Sequence, residues 1–533
     1  MRAPLIDNIR KIAKYAVALW RSIFVDLNSQ VFVDYCLKRW PRIDQTNRES
    51  IVLVEFYSVD QTVLAFSYFT NILADRFKSR IVSFSLSDRN RHLFYWRYRR
   101  MSKIFKSFNA KSHFNTEIQG QASVSVISIL ESLLVNIKCK NDVLEISING
   151  DLVGNEIYEA YLIEHRKPTI DIHSVDFKEF LLKCIKTYVF WDDFLDHHDV
   201  KGVVMSHGIY RYGIIKTIAN RKGIPVYLPT VRSLYCLKRP SDWGLPLYNS
   251  YPRVFKSLPQ EVRNAGIEWA KERLELRFSG AVGIDMSYST KSAFKREPVS
   301  KKVLRESDRV KVLIATHCFF DNPNCYGRNL FPDFYEWINY LGELSEVTDY
   351  DWYLKTHPDV LPGNDNVLSE LLSKYKRITR LPSEASHLQL VEEGISHVLT
   401  VYGSVGHECP LLGQTVINAG EKNPHIGYAF NIHAKTIEEY RHYLLNLPVV
   451  RRIVDMDEVY EFYYMHYKYS GYCQLFFKSF EEYISQHSVD VQNSSAAYEY
   501  FLNEISDDDD TILCDRIRQF IESGDYKYSN TCV

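Results

Sequence analysis

Apolar residues along this chain come in short, nearly unbroken runs, separated by stretches in which an apolar position recurs every three or four residues. Ile51-Val-Leu-Val-Glu-Phe56 is the first such run. A segment apolar on successive positions suits a strand buried on both faces of a parallel sheet. The helical period over 63–77 and a further apolar run over 80–85 complete one strand–helix–strand step. The polar and aromatic stretch 88–114 has no clear period, 124–137 predicts a helix, and a second run of alternating elements begins near 177–188. A second step follows, with a strand at Gly202-Val-Val-Met-Ser206, a helix over 212–221 stopped by Gly223, and a strand over 224–228.

Between 232 and 302 the pattern weakens, apart from a helical stretch over 258–276, and 278–302 is rich in Ser, Gly and Lys. A domain boundary is expected there. The alternation then restarts. Strands are predicted at 309–316, 351–356, 378–381, 397–401 and 415–418, with helices at 334–344, 367–375, 388–393 and 408–412. Regular alternation of this kind predicts a parallel, doubly wound sheet, which binds ligands at the carboxyl ends of its strands. From 436 onward the chain reads as helical. Its cluster of Tyr460, Phe462, Tyr463, Tyr464, Tyr467 and Tyr469 is expected to serve packing, and the acidic run 507–510 to be a solvated loop. The expected fold class is α/β, with two Rossmann-like doubly wound domains facing a cleft and helices after them. The expected divisions are a basic amphipathic segment 1–45, a first Rossmann-like domain 46–300, a second 301–440 and a helical region 441–533.

Composition narrows the class of partner. With 533 residues, 46% hydrophobic and 25% charged, the chain is long enough for two or three cores and too apolar for disorder. The 65 basic and 66 acidic residues cancel, so no global field points to nucleic acid. Ten cysteines without a CxxC pair are expected to be reduced, as in the cytosol, and not to hold zinc. Arg2, Arg10, Lys11, Lys14 and Arg21 interrupt the apolar positions of the first segment, which excludes a membrane-spanning helix there. Packing on the next domain is the first expectation for that segment, and contact with an anionic membrane surface the second.

Candidate chemistry gathers at the predicted strand ends of the second domain. In Thr400-Val-Tyr-Gly-Ser-Val-Gly-His-Glu408 a strand enters a turn with two glycines and then a short helix, with Pro410 in its first turns and Gly413 after it. Gly403 and Gly406 would let backbone N–H groups approach a ligand beside Tyr402, and Ser404 would donate to a phosphate oxygen. Glu408 suits a ribose diol, and the helix start adds positive potential. A second motif, Lys355-Thr-His-Pro358, ends another strand of the same sheet. Pro358 would fix the turn so that His357 aims a ring N–H at phosphate while Lys355 adds charge. One shared anion site explains both loops. Ser386 and His387 are candidates for contact with base or phosphate, with helix capping an equal prospect for Ser386. Asn423 and His425 would close over a sugar. In the first half His207 follows a strand and is a candidate general base. Asp151 and Glu156 compete for that role, as does Asp321 in the second half. A turn role beside glycine is at least as good a reading of Asp151. No metal ligands are assigned.

His357-Pro358 and Ser404 through Glu408 resemble the motifs of bacterial surface-polysaccharide glycosyltransferases of GT-B architecture. They are most similar to the capsule-synthesis proteins that transfer Kdo from CMP-Kdo, and more loosely to bacterial sialyltransferases. In both groups a His-Pro motif holds the CMP phosphate, and a Ser/Thr-rich motif precedes a helix bearing glutamate. The chain departs from the sialyltransferases in having Gly403-Ser404 in place of paired hydroxyl residues. The resemblance covers 310–440. It implies transfer of Kdo or another acidic sugar from a CMP donor held by 301–440 to a saccharide or lipid-linked glycan that approaches from the acceptor domain 46–300, without a metal or other cofactor, in the cytoplasm or at the cytoplasmic face of the inner membrane. The rival expectations are a CDP-polyol phosphotransferase, a UDP-sugar epimerase and a non-catalytic nucleotide- or glycan-binding scaffold.

Overall fold

The computed structural model describes residues 23–40, 49–86, 98–115, 123–286, 291–294, 302–357, 362–470, 475–479, 482–483 and 494–528. The basic segment 1–22 and Pro358 therefore lie outside the described residues. Two compact units divide the chain. One comprises 1–131, 182–244 and 472–533, and the other 132–181 and 245–471.

The first unit is built on β1 (Ile51–Glu55), β2 (Arg80–Ser85), β3 (Ser112–Asn115), β4 (Val200–Val204), β5 (Val226–Pro229) and β6 (Leu234–Leu237), in spatial order β3-β2-β1-β4-β5-β6. All its pairs are parallel except β5–β6. The second unit repeats the plan with β7 (Lys311–Ala315), β8 (Asp351–Lys355), β9 (Ile378–Arg380), β10 (Ile395–Thr400), β11 (Thr415–Asn418) and β12 (Ile432–His433). Its order is β9-β8-β7-β10-β11-β12, parallel throughout. Both sheets have the Rossmann order, which reverses direction beside the first strand of each, at the β1/β4 and β7/β10 junctions. The two doubly wound sheets expected from the apolar runs are present. β1 and β8 are buried along their whole length, as those runs require.

Domain limits differ from the expectation. The chain passes between units at 131/132, 181/182, 244/245 and 471/472, not once near 300. Hydrophobic period is a local property and does not say which sheet a helix will cover. The expected C-terminal helical region is split accordingly. Helix Met456–Tyr463 and the π-helical Tyr464–Tyr469 pack in the second unit with Tyr251, Phe255, Ala270 and Leu274. Helices Ala496–Glu504 and Asp507–Ser523 complete the core of the first, where Phe501, Ile517 and Phe520 meet Phe66, Phe69 and Leu73. The 507–510 run is the first turn of that last helix, not a loop. Ser506 caps it, and Asp510 ion-pairs with Arg39 at 2.7 Å and accepts a hydrogen bond from the Tyr68 hydroxyl at 2.5 Å. Among the described residues no helix is long and apolar enough to cross a membrane.

Candidate anion-binding site

In the second unit β7, β8 and β10 end side by side. Ala315 is in register with Lys355, and Leu399 with Ile314. The residues that follow line a cavity of ≈ 100 Å³ at the point where the strand order reverses. Lys355, Thr356 and His357 come from the end of β8, Thr316 and His317 from β7, and Thr400, Gly403, Ser404, Val405 and Glu408 from β10. Arg277, Lys291 and His387 close it from helices and loops of the same unit.

Lys355 is buried to 3% exposure, and no hydrogen-bond partner for its ammonium is found among the described residues. Burial pushes its pKa down from 10.5 to about 8, while Cys409, Glu408 and Glu384 pull the other way. His387 is fully enclosed, and its Nδ1 has no partner among the described residues. Burial, followed by the nearby Lys355 and Arg277, holds it well below its usual range, so it is neutral at pH 7. His317 is likewise lowered, to about 3, first by burial and then by His357. Its Nε2 accepts the Val401 N–H at 3.3 Å and lies 3.1 Å from Thr400 Oγ1, which places the ring proton on Nδ1. The ring is stacked on Phe334.

Among the described residues Glu408 is the only carboxylate facing the cavity, and both its oxygens are engaged. Oε1 pairs with Arg277 Nε, and Oε2 accepts the Ser404 hydroxyl at 3.3 Å. Burial disfavours the Arg277 charge, but Glu408, Tyr467 and Tyr463 outweigh it, and the guanidinium is held above its usual range. Glu408 thus secures a buried arginine at the cavity wall, in the cavity where the ribose contact is expected. Helix Val405–Glu408 has only four residues, so a macrodipole contributes little. Local backbone does more. The Gly403 N–H goes to Thr400 Oγ1, and those of Gly406, His407 and Glu408 go to Gly403 or Ser404 carbonyls. The Ser404 and Val405 N–H groups have no acceptor among the described residues. These two adjacent N–H groups at the end of a strand are left to donate to a ligand.

Other assignments separate. Lys355, His357, His387, Gly403, Ser404 and Glu408 share the cavity. Ser386 caps the helix His387–Glu392, accepting the Leu388 N–H at 3.2 Å. The Tyr402 hydroxyl donates to Asn322 O at 2.9 Å, which ties it to the 318–328 loop. Gly406 serves packing: a Cβ there would lie 2.4 Å from His425 Cε1 and 2.6 Å from its Nδ1. His425 is part of that packing. It is buried against Phe430 and Phe462, with Nε2 3.1 Å from His407 Nδ1. Asn423 accepts the His425 N–H at 2.9 Å, donates to Gly420 O at 3.0 Å and lies 3.1 Å from His433 Nδ1. Gly406→Ala is expected to cost ~1–3 kcal/mol of unfolding free energy through overpacking. Denaturant titration reads this directly, and a loss below ~0.5 kcal/mol would mean that the His425 ring moves aside.

Of the proposed catalytic groups, Asp151, Glu156 and Asp321 belong to the second unit and His207 to the first. Asp151 follows the tight hairpin turn Asn149-Gly150, whose φ values are 51° and 85°. Asp151 is buried as the first residue of the second hairpin strand. Glu156 and Asp321 both act on Glu159, a carboxyl that sequence reasoning missed. Glu159 is fully buried and accepts the Asn324 N–H at 3.0 Å; burial pushes its pKa well up, and the two carboxylates add to the effect. In the first unit burial lowers His207 to about 4, a poor value for a general base at neutral pH. At the β1/β4 junction Glu55 accepts the Ser206 N–H at 2.6 Å, and burial raises its pKa to about 7. Its place at the end of an apolar run hid it. His317 could have been found by the strand-end rule, whereas Arg277 carries no local signal. Among the described residues no group of three or more His, Cys, Asp or Glu is placed to hold a metal ion.

No family model matches the sequence, and no curated protein matches it. Solved structures are similar at low identity. KpsC of Thermosulfurimonas dismutans, a beta Kdo 2,4 transferase, is 15% identical over 50% of this chain and 79% of its own, with a TM-score of 0.29. A glycosyltransferase from Rickettsia africae ESF-5 is 9% identical over 90% and 98%, with a TM-score of 0.23. UDP-GlcNAc 2-epimerase from Neisseria meningitidis, bound to UDP-GlcNAc, is 11% identical over 77% and 97%, with a TM-score of 0.22.

Proposed function

We propose that the chain is a glycosyltransferase whose nucleotide-activated donor places its phosphate in the cavity at the ends of β7, β8 and β10. The observation that carries this reading is the charge inventory of the cavity. Among the described residues, Arg277, Lys291 and Lys355 face a single carboxylate, Glu408, which is already paired. Such a wall favours a ligand bearing more than one negative charge. Together with the motif resemblance at His357 and Ser404–Glu408, this supports a CMP-linked acidic sugar such as Kdo as donor. A saccharide or lipid-linked glycan would be the acceptor, as in the synthesis of bacterial surface polysaccharide.

In this reading bond cleavage leaves charge on the nucleotide phosphate. Lys355, Arg277, His357 and the free Ser404 and Val405 N–H groups meet that charge in a site whose dipoles are already oriented. We expect the transfer to proceed without a metal. Neutral His387 offers Nδ1 as donor or acceptor according to its tautomer. Calorimetry with CMP, CDP, UDP, GDP and ADP is expected to show the tightest binding for CMP, and a clear preference for UDP would overturn the donor assignment. His357→Ala is expected to lower donor turnover ~10²-fold, the usual loss of one transition-state donor. Unchanged turnover would remove His357 from the phosphate site.

A further inference from the structure

A second, larger hollow of ≈ 420 Å³ lies wholly within the second unit, outside the anion cavity. Its walls come from the 246–250 segment, Tyr326, and the Glu421–Asn423 loop that follows β11. Its volume is in the range of small-molecule sites. The Tyr248 and Tyr326 rings meet edge to face, with centroids 5.6 Å apart at 69°. Around this corner Asn249, Glu421 and Lys422 have side chains without a partner among the described residues. Their frame is fixed. Asn423 is locked into its turn, the Lys422 stem lies where a Gly327 side chain would otherwise stand, and Gly427 lets Tyr248 O approach to 3.1 Å of where a Cβ would be.

We propose that this hollow is the subsite for a neutral pyranose of the acceptor; its role as acceptor subsite rests on the function proposed above. Glu421 and Lys422 cancel in charge, which removes the attraction for a further anion. Two rings at a steep angle make a corner, not the parallel slot a flat base would need, and a corner fits the C–H faces of a puckered sugar. A free amide, carboxylate and ammonium together donate to and accept from vicinal hydroxyls. Rings link the hollow to the anion cavity. Tyr326 touches Tyr402 at 5.0 Å, and Tyr402 touches the cavity-lining His317 at 4.5 Å. The hollow thus adjoins the strand end where the donor phosphate is assigned.

The test is saturation-transfer NMR and calorimetry on the full chain. The probes are glucose, galactose, N-acetylglucosamine and their disaccharides, each with and without saturating CMP. At least one saccharide is expected to bind, and to remain bound when CMP is present. Tyr248→Ala and the double variant Glu421→Gln/Lys422→Met are each expected to weaken it by about tenfold or more, the loss of one strong contact. Both should keep their CMP affinity within about twofold. The double variant alters only partner-free side chains, so it decides the matter if Tyr248→Ala fails to fold. No saccharide binding, binding unchanged by the double variant, or displacement of the sugar by CMP would each overturn the proposal. Saccharide binding without any nucleotide binding would instead sink the donor assignment and leave a glycan-binding site at the hollow.

Discussion

Lys355→Met is expected to make the ligand-free protein more stable while weakening CMP binding and lowering transfer by ~10²–10³. The lysine is 3% exposed, and its pKa falls from 10.5 to about 8, so the folded state binds its proton less readily than the unfolded chain does. That difference corresponds to ~3 kcal/mol of destabilisation, fully present below pH 8. Between pH 8 and 10.5 the unfolded chain holds more protons than the folded one, so wild-type stability should rise with pH across that window. Methionine keeps the apolar stem and removes the charge, so the variant should be more stable at pH 7 and lose the rise. Phosphate affinity should move oppositely: it should be strongest below pH 8, where Lys355 is charged, and decline above it. Denaturant titrations at pH 7 and 9.5, paired with CMP calorimetry over the same range, read both arms. A variant less stable than wild type at pH 7 would refute the strained-lysine account.

The second large effect is expected at Glu408. Removing its charge with Glu408→Gln leaves Arg277 buried, with 10% of its side chain exposed and no compensating carboxylate. Breaking a buried pair from one side costs ~3–5 kcal/mol, because the remaining charge stays desolvated. Arg277→Met/Glu408→Gln should recover most of that stability without recovering nucleotide affinity. A double-mutant cycle in urea measures the coupling. A single Glu408→Gln cost below ~1 kcal/mol would show that the pair does not hold the wall.

The strand-and-loop skeleton of the site was legible because a parallel strand buried on both faces shows itself as an apolar run, and its end as the first polar residues. Lys355, His357, Gly403 and Ser404 were found that way. His317 obeys the same rule, standing just past the end of β7. Arg277 could not be found so: it sits on helix Gln260–Phe278, whose sequence announces a helix but not the strand ends it will reach. Gly406 and His425 looked like ligand groups because a packing glycine and a binding glycine are spelled alike. Only the 2.4 Å approach of His425 tells them apart.

The order of segments also bears on how the protein is made. The strands of the first unit come early in the sequence, yet its core waits for Phe501, Ile517 and Phe520, whereas every residue of the second unit precedes 472. On a ribosome, the unit begun first is finished last. Until then Phe66, Phe69 and Leu73 lack part of their apolar cover, which a nascent chain must shelter.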